Sequence, residues 1–323
     1  MWQKILTLCL LHLVSNISLF SQSQIEKKIE FGGTFDNWRV REIKESGIIG
    51  GNIKHIYSIG KGDTIVGAIA YQNPPGWVWS TSNVLAIVKG VVKTSCSVFP
   101  EKRENGYCAR LETTLEKVRV LGLLDLNVIA TGTIYLGKML EPIRNTNNPQ
   151  SKLITGIPYT DKPLAISFDY KVVLGNQKVK ASGIGAPKII PGKDYADCMV
   201  LLQKRWEDKD GNIYAKRIGT AYHLFTSTNL EWTNNFRVPI HYGDIRKKSF
   251  YKDYMNLISE ELSIYTKNSK GKSVPVHEIE WGDKAETPTH IVVRFSSSHG
   301  EAYIGDPVNK LWIDNVKLVK NND

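Results

Sequence analysis

Four cysteines, four methionines and seven histidines among 323 residues leave little material for metal or redox chemistry. The histidines are scattered. No His-Glu-x-x-His and no paired Cys-x-x-Cys spacing occurs, which excludes the usual zinc frameworks. No Gly-x-Ser-x-Gly turn is present, so no nucleophile elbow is encoded. Gly183-Ile184-Gly185 stands alone, without the strand and helix that a phosphate-cradling loop needs. Net charge is +10, yet the basic residues are dispersed apart from Arg246-Lys247-Lys248. A nucleic-acid protein concentrates them in a stripe. Dispersed charge supports at most loose affinity for an acidic surface.

Long apolar runs are also missing. The one near the start, Ile5 to Val14, is followed by Ser15, Asn16 and Ser18 and contains His12. It is too short for a spanning helix, which takes about 20 apolar residues. One positive charge, Lys4, precedes it and no acid appears before Glu26. This is the form of a secretory signal peptide, with cleavage expected near Ser21 to Ser23. Leu8 before Cys9 does not fit a lipoprotein signal, so lipid attachment is not expected. The mature chain is expected to be secreted, periplasmic or on the cell surface, with no transmembrane segment. It would retain Cys96, Cys108 and Cys198. Cys96 and Cys108 suit either a hairpin disulfide or two buried thiols.

What the chain does contain is alternation. Leu164, Ile166, Phe168, Tyr170 and Val172 fall on one side of an extended segment, with Ala165, Ser167, Asp169 and Lys171 on the other. Phe236, Val238, Ile240 and Tyr242 repeat the pattern, as do Ile291, Val293 and Phe295. Period two marks half-buried strands, and Pro239 inside one of them marks a sheet edge or bulge. Ala196 to Trp206 and Ile213 to Ile218 flank an Asp210-Gly211 turn and read as a hairpin. A calcium loop is excluded there, because its twelfth position, which takes Glu, is Gly219. Met255, Ile258, Leu262 and Tyr265 stand at helical spacing after Asp253, and one short helix is expected. Thr266 to Thr289 is polar and carries Gly and Pro, and reads as a long excursion. The fold class is therefore all-β, an antiparallel β-sandwich or barrel.

Candidate chemistry is sparse. Glycoside hydrolysis needs two carboxylates flanking a sugar. Glu112, Asp169, Glu231 and Glu301 lie in or beside expected strands, but nothing in their spacing pairs them. Aromatic residues are more informative. Tyr71, Trp77 and Trp79 sit in a Pro-Pro-Gly loop that enters a strand. In a strand, residues two apart share a face, so Trp77 and Trp79 would form either core or a ring platform. An indole suits a platform, because it joins a flat apolar body to one N–H donor.

Several blocks resemble the putative carbohydrate metabolism domain family of exported Bacteroidetes proteins. In order they are Phe35-Asp36-Asn37-Trp38, Trp79-Ser80-Thr81-Ser82-Asn83, Gly106 to Thr113, Thr131 to Gly137, Gly156-Ile157-Pro158-Tyr159, Lys162-Pro163, Phe168-Asp169-Tyr170-Lys171, Phe295 to Ser298, and Leu311 to Val316. Asn309-Lys310 departs from the Gly-Ser usual before the last strand. The resemblance implies a jelly-roll-like sandwich and a polysaccharide or oligosaccharide partner. Residues 1–22 would be signal peptide, 23–33 a lead-in, and 34–323 a single domain with an insertion near 266–289. Similarity of the two ends to jelly-roll carbohydrate-binding modules implies Asp36 and Asp314 as ligands of a structural Ca²⁺. The alternative is two ordinary strand-end aspartates and no cofactor. Three functional readings follow: a non-catalytic glycan-binding protein with Trp77, Trp79 and Tyr71 at its site, a glycoside hydrolase, or an adhesive surface protein.

Overall fold

The computed structural model describes residues 32–120, 124–144 and 148–320. The expected signal peptide, its cleavage site and Cys9 lie outside them. The regular structure among the described residues is almost entirely strand. Helical character is limited to four 3₁₀ turns, Gly47–Ile49, Pro149–Lys152, Asp253–Met255 and Glu260–Leu262.

Two large sheets carry the architecture. In the smaller, the strands run in the order Ser182–Ile184, Leu124–Thr131, Gly106–Val120, Lys310–Val319, Ala165–Val173 and Asn229–Pro239, with Val98–Arg103 also joined to Gly106–Val120. Asn229–Pro239 lies at the edge, where Pro239 leaves no inner ladder bond unmade. Ile166, Phe168 and Val172 are buried as the alternation requires, but Ala165, Ser167 and Asp169 on the face expected to be wet are buried too, and Leu164 is exposed.

The larger sheet closes on itself. Thr133–Met139 pairs with Leu153–Thr155, and that strand pairs with Tyr265–Lys267. The path continues through Ser273–Trp281, Ile213–Phe225, Ala196–Glu207 and His290–Ser296. His290–Ser296 then pairs back with Thr133–Met139. Closure removes the open edges of these seven strands. The outward face of the ring packs on the smaller sheet. Phe168 meets Phe295 edge-on, with ring centroids 4.9 Å apart. The opposite face, turned into the ring, carries its own apolar cluster of Met199, Leu201, Ile213, Ala215, Ile264, Val276 and Val292.

Two expectations for the C-terminal third are corrected. The segment after Asp253 forms two 3₁₀ turns instead of one helix, and Tyr265 begins a strand. Of the four residues at that spacing Met255 and Ile258 turn inward, whereas Leu262 is exposed, so the period reflects only partial burial and no helix. The polar excursion 266–289 contains Ser273–Trp281, a strand of the ring. Its Val274-x-Val276-x-Glu278 alternation ends on a buried carboxylate, which disguises the inward face as polar. Cys96, Cys108 and Cys198 are free thiols. Burial pushes Cys96 and Cys108 up to about 12, which makes them poor nucleophiles.

Candidate functional site

The ring places a short column of side chains on its inner face. Along Ala196–Glu207 these are Asp197, Met199, Leu201, Gln203 and Arg205, two residues apart. Met199 is directly opposite Tyr222 on one neighbour and Arg294 on the other. Strand pairing alone therefore brings Tyr222, Arg294 and Asp197 together. The loop after His290–Ser296 adds His299.

These four side chains are mutually bonded. Asp197 is wholly buried, and its Oδ2 accepts from the Tyr222 hydroxyl at 2.7 Å and from Arg294 Nη2 at 2.6 Å. His299 Nδ1 lies 3.0 Å from the same oxygen and 3.0 Å from the Tyr222 hydroxyl. Burial raises the Asp197 pKa, but the Arg294 charge, with His299 and Tyr222, outweighs it and holds the carboxyl below its usual range. Burial and the Asp197 charge push the Tyr222 phenol well up, so it remains a neutral donor. Arg294 and His299 stay about one-quarter exposed, at 25% and 22% of the side chain.

Residues 253–264 roof this cluster. Tyr254 descends from the roof to lie 5.0 Å from the Tyr222 ring and 5.4 Å from His299. Beneath them a cavity of about 210 Å³ opens, with Met199, Leu201 and Ile258 on its apolar side and Arg294, His299 and Tyr222 on its polar side. A second buried network closes the floor. Glu278 takes both Arg217 and Gln203, and its Oε2 also accepts from the Ile258 amide at 2.8 Å. Arg205 donates to Gln203 Oε1 and reaches the Thr155 carbonyl. It passes Gly156, where a Cβ would stand 2.6 Å from the Arg205 Nη2. Asp197 and Glu278 are thus each paired to an arginine, and the exposed surface is aromatic with a few polar groups, among them the Asp253 carboxylate at the rim. Binding sites commonly have that composition, and barrel mouths are a common place for them.

The residues expected from sequence lie elsewhere, and the structure divides them. Trp79 is 3% exposed and packs on Phe35 and Phe295, with centroids 5.4 and 6.4 Å away. It is core and has no face to offer a ligand. The strand begins only at Trp79, so the two-residue period does not extend back to Trp77, which follows the Pro75-Gly76 turn and packs over Gly60. Tyr71 sits against Arg39 and Arg41, its ring centroid 5.3 Å from each guanidinium. Asp36 is exposed and accepts from the Tyr107 amide at 3.0 Å. Asp314 instead faces Arg103, whose Nη1 lies 2.9 Å from both Asp314 and Asp169. Ca²⁺ takes six or more oxygens, and a guanidinium already holds the cationic position beside Asp314. The donor set therefore does not suit the ion, and no metal-ligand cluster of three or more occurs among the described residues. Glu112 is paired to Arg110 and Lys310, and Asp169 to Arg103. Glu231 and Glu301 are exposed.

Comparison with known proteins adds three findings. The family model described as putative carbohydrate metabolism domain matches residues 62–319, so Phe35 to Trp38 lies outside the match. No curated protein matches the sequence. Among solved structures, a putative glycoside hydrolase from Bacteroides thetaiotaomicron is similar at 18% identity and TM-score 0.47, over 90% of this chain and 71% of that one. A putative glycoside hydrolase from Bacteroides vulgatus is similar at 16% identity and TM-score 0.44, over 88% and 96%.

Proposed function

Because the chain belongs to the putative carbohydrate metabolism domain family, we propose that it is an exported glycan-binding protein whose roofed pocket holds one sugar ring without cleaving it. The observation that carries this reading is the joining of Tyr254, Tyr222 and His299 to the Arg294–Asp197 pair around one small cavity. Aromatic side chains offer flat apolar bodies for the C–H faces of a pyranose, and Tyr keeps a polar tip. The guanidinium and imidazole supply fixed donors for hydroxyl groups. The cavity volume is below the roughly 300–1,000 Å³ of drug-sized sites, so it suits a chain end or a side branch better than a chain interior.

Hydrolysis is the weaker reading. It would need a protonated acid and a second carboxylate across an open groove. Asp197 and Glu278 are instead buried and held to arginines, and both titrate below their usual values. Export rests on the N-terminal residues alone.

Titration of the purified protein with a monosaccharide panel tests the reading. At least one sugar should bind, and Tyr254→Ala should weaken it about tenfold, the loss of one good aromatic contact. Its melting temperature should be nearly unchanged, because Tyr254 lies in the roof. If no monosaccharide binds, or if Tyr254→Ala binds as the wild type does, the pocket is not the site. Release of reducing sugar from a polysaccharide, abolished by Asp197→Asn, would replace binding by catalysis.

A further inference from the structure

At one end of the smaller sheet a hairpin carries its apolar residues outward. Val179 and Ala181 are buried in a cluster with Ile129, so the alternate residues Lys178, Lys180, Ser182 and Ile184 lie on the outward side. The chain bends at Gly185-Ala186-Pro187 and returns along Lys188–Ile189, which pairs back on Val179–Lys180. Gly183 and Gly185, at φ +144° and +103°, permit the bend. The tip carries no charge. Ile184 is 90% exposed, Ile189 is 69% exposed on the edge strand, and Ala186 is exposed between them.

Single exposed apolar residues are ordinary on a protein surface. This tip differs in its surroundings, which are basic. Lys180 stands directly opposite Lys188 in the hairpin, a like-charge pair that destabilises a ladder. Lys178 and Lys193 flank that pair, since the Ile190 amide bonds the Lys178 carbonyl and the Asp194 amide bonds the Gln177 carbonyl. From Tyr170 to Lys193 the chain holds no carboxylate, and the bounding Asp169 and Asp194 are both buried. Glu116, in the row of Ser182, is held by Lys93 at 3.7 Å. Glu301 is an exposed acid on the loop before Ile304, and it leaves the four lysines in excess. The basic residues are dispersed along the chain, yet strand pairing gathers these four around one apolar tip.

Charge alone would draw in any polyanion. The apolar tip takes no part in that attraction. It gains only where an apolar layer lies beneath the anions. A bilayer with anionic headgroups offers both, phosphates for the lysines and acyl chains below them. We propose that this hairpin docks the protein on an anionic membrane surface, with Ile184 at the boundary between headgroups and acyl chains and Lys178, Lys180, Lys188 and Lys193 on the lipid phosphates. The contact involves one leaflet, because the tip from Gly183 to Pro187 is only five residues long. It shares no residue with the pocket and stands whether or not the pocket binds sugar.

Co-sedimentation with vesicles of pure phosphatidylglycerol and of pure phosphatidylcholine tests this. The protein should pellet with the first and not with the second. One basic residue near an anionic membrane strengthens binding about fivefold, so Lys180→Gln with Lys188→Gln should weaken it about 25-fold. Lys247→Gln with Lys248→Gln removes the same charge from a different exposed loop and should change binding far less. Ile184→Ser leaves the charge untouched and should weaken binding about tenfold. It should melt as the wild type does, because the side chain it replaces is already exposed. Tyr254→Ala should pellet as the wild type does, which separates this surface from the pocket. The proposal is overturned if phosphatidylglycerol does not carry the protein down, if phosphatidylcholine carries it down equally, or if the two double variants weaken binding equally. It is overturned too if Ile184→Ser binds as the wild type does, which would make the lysines a site for soluble polyanions.

Discussion

Glu278→Ala should cost about 3–5 kcal/mol of stability, the usual result of stranding one member of a buried ion pair. Domain stabilities are typically about 5–15 kcal/mol, so the variant should unfold at much lower denaturant. Both partners are shut from water, at 1% for the Arg217 side chain and 0% for Glu278. Oε1 accepts from Arg217 Nε and Gln203 Nε2, each at 2.6 Å. Oε2 accepts from Arg217 Nη2 and from the Ile258 amide. Truncation would leave a buried guanidinium, a buried amide and a roof segment without their acceptor. Glu278→Gln keeps the shape and one acceptor oxygen but loses the charge, and should fall between the wild type and Glu278→Ala.

Acid should act on the same contact. Burial raises the Glu278 pKa, but the Arg217 charge and the bonds from Arg217, Gln203 and Ile258 outweigh it, and the folded value lies below the usual 4.5. A depressed carboxyl contributes stability that is complete above the unfolded pKa and lost as pH falls through the folded one. Asp197 is depressed from 3.8 and adds to the loss in the same direction. The wild type should therefore weaken steeply below about pH 4.5. Glu278→Gln should weaken less steeply. Parallel acid-unfolding curves for the two proteins would show that the carboxylate contributes nothing through its ionisation.

Alternation made the sandwich legible in the sequence. Ile166-x-Phe168 and Val293-x-Phe295 each mark an extended apolar face, and Phe168 and Phe295 do meet across the two sheets. The Asp210-Gly211 hairpin was legible for a similar reason: the Asp208 carbonyl and side chain close the turn locally. Ring closure was not legible. It depends on the pairing of Ile154 with Tyr265 and of Thr133 with Ser296, contacts more than one hundred residues apart with no local signature. The pocket was hidden by the same fact. Asp197, Tyr222, Arg294 and His299 come from separate strands and a loop, and each alone looks like a polar residue on a wet face. One weak sign existed, the Phe295 to Gly300 run. Its serines, however, are structural. Ser296 and Ser297 bond Thr133 and Thr113, and His299 is the member that reaches the cavity. The tryptophan pair misled because a spacing of two implies a shared face only when both residues are already in the strand.

Trp79→Ala should accordingly be a stability variant and not a binding variant. Trp79 is 3% exposed and its indole lies between Phe35 and Phe295. Phe295 in turn meets Phe168 across the sandwich, so Trp79 closes one end of the aromatic core. Removing so large a ring from a packed interior costs about 3–5 kcal/mol, and more where the walls cannot collapse. The Trp79–Thr81 strand has little freedom to move in, because it is paired to Thr133–Met139 at three positions. Trp77→Ala removes a half-buried ring from a loop and should cost about 1 kcal/mol. Thermal unfolding would separate the two, with a much larger drop for Trp79→Ala. The folded fraction of either variant should bind sugar with unchanged affinity, since neither ring lines the pocket. A Trp79→Ala protein that melts like the wild type yet no longer binds glycan would place the ligand at Trp79 and overturn this assignment.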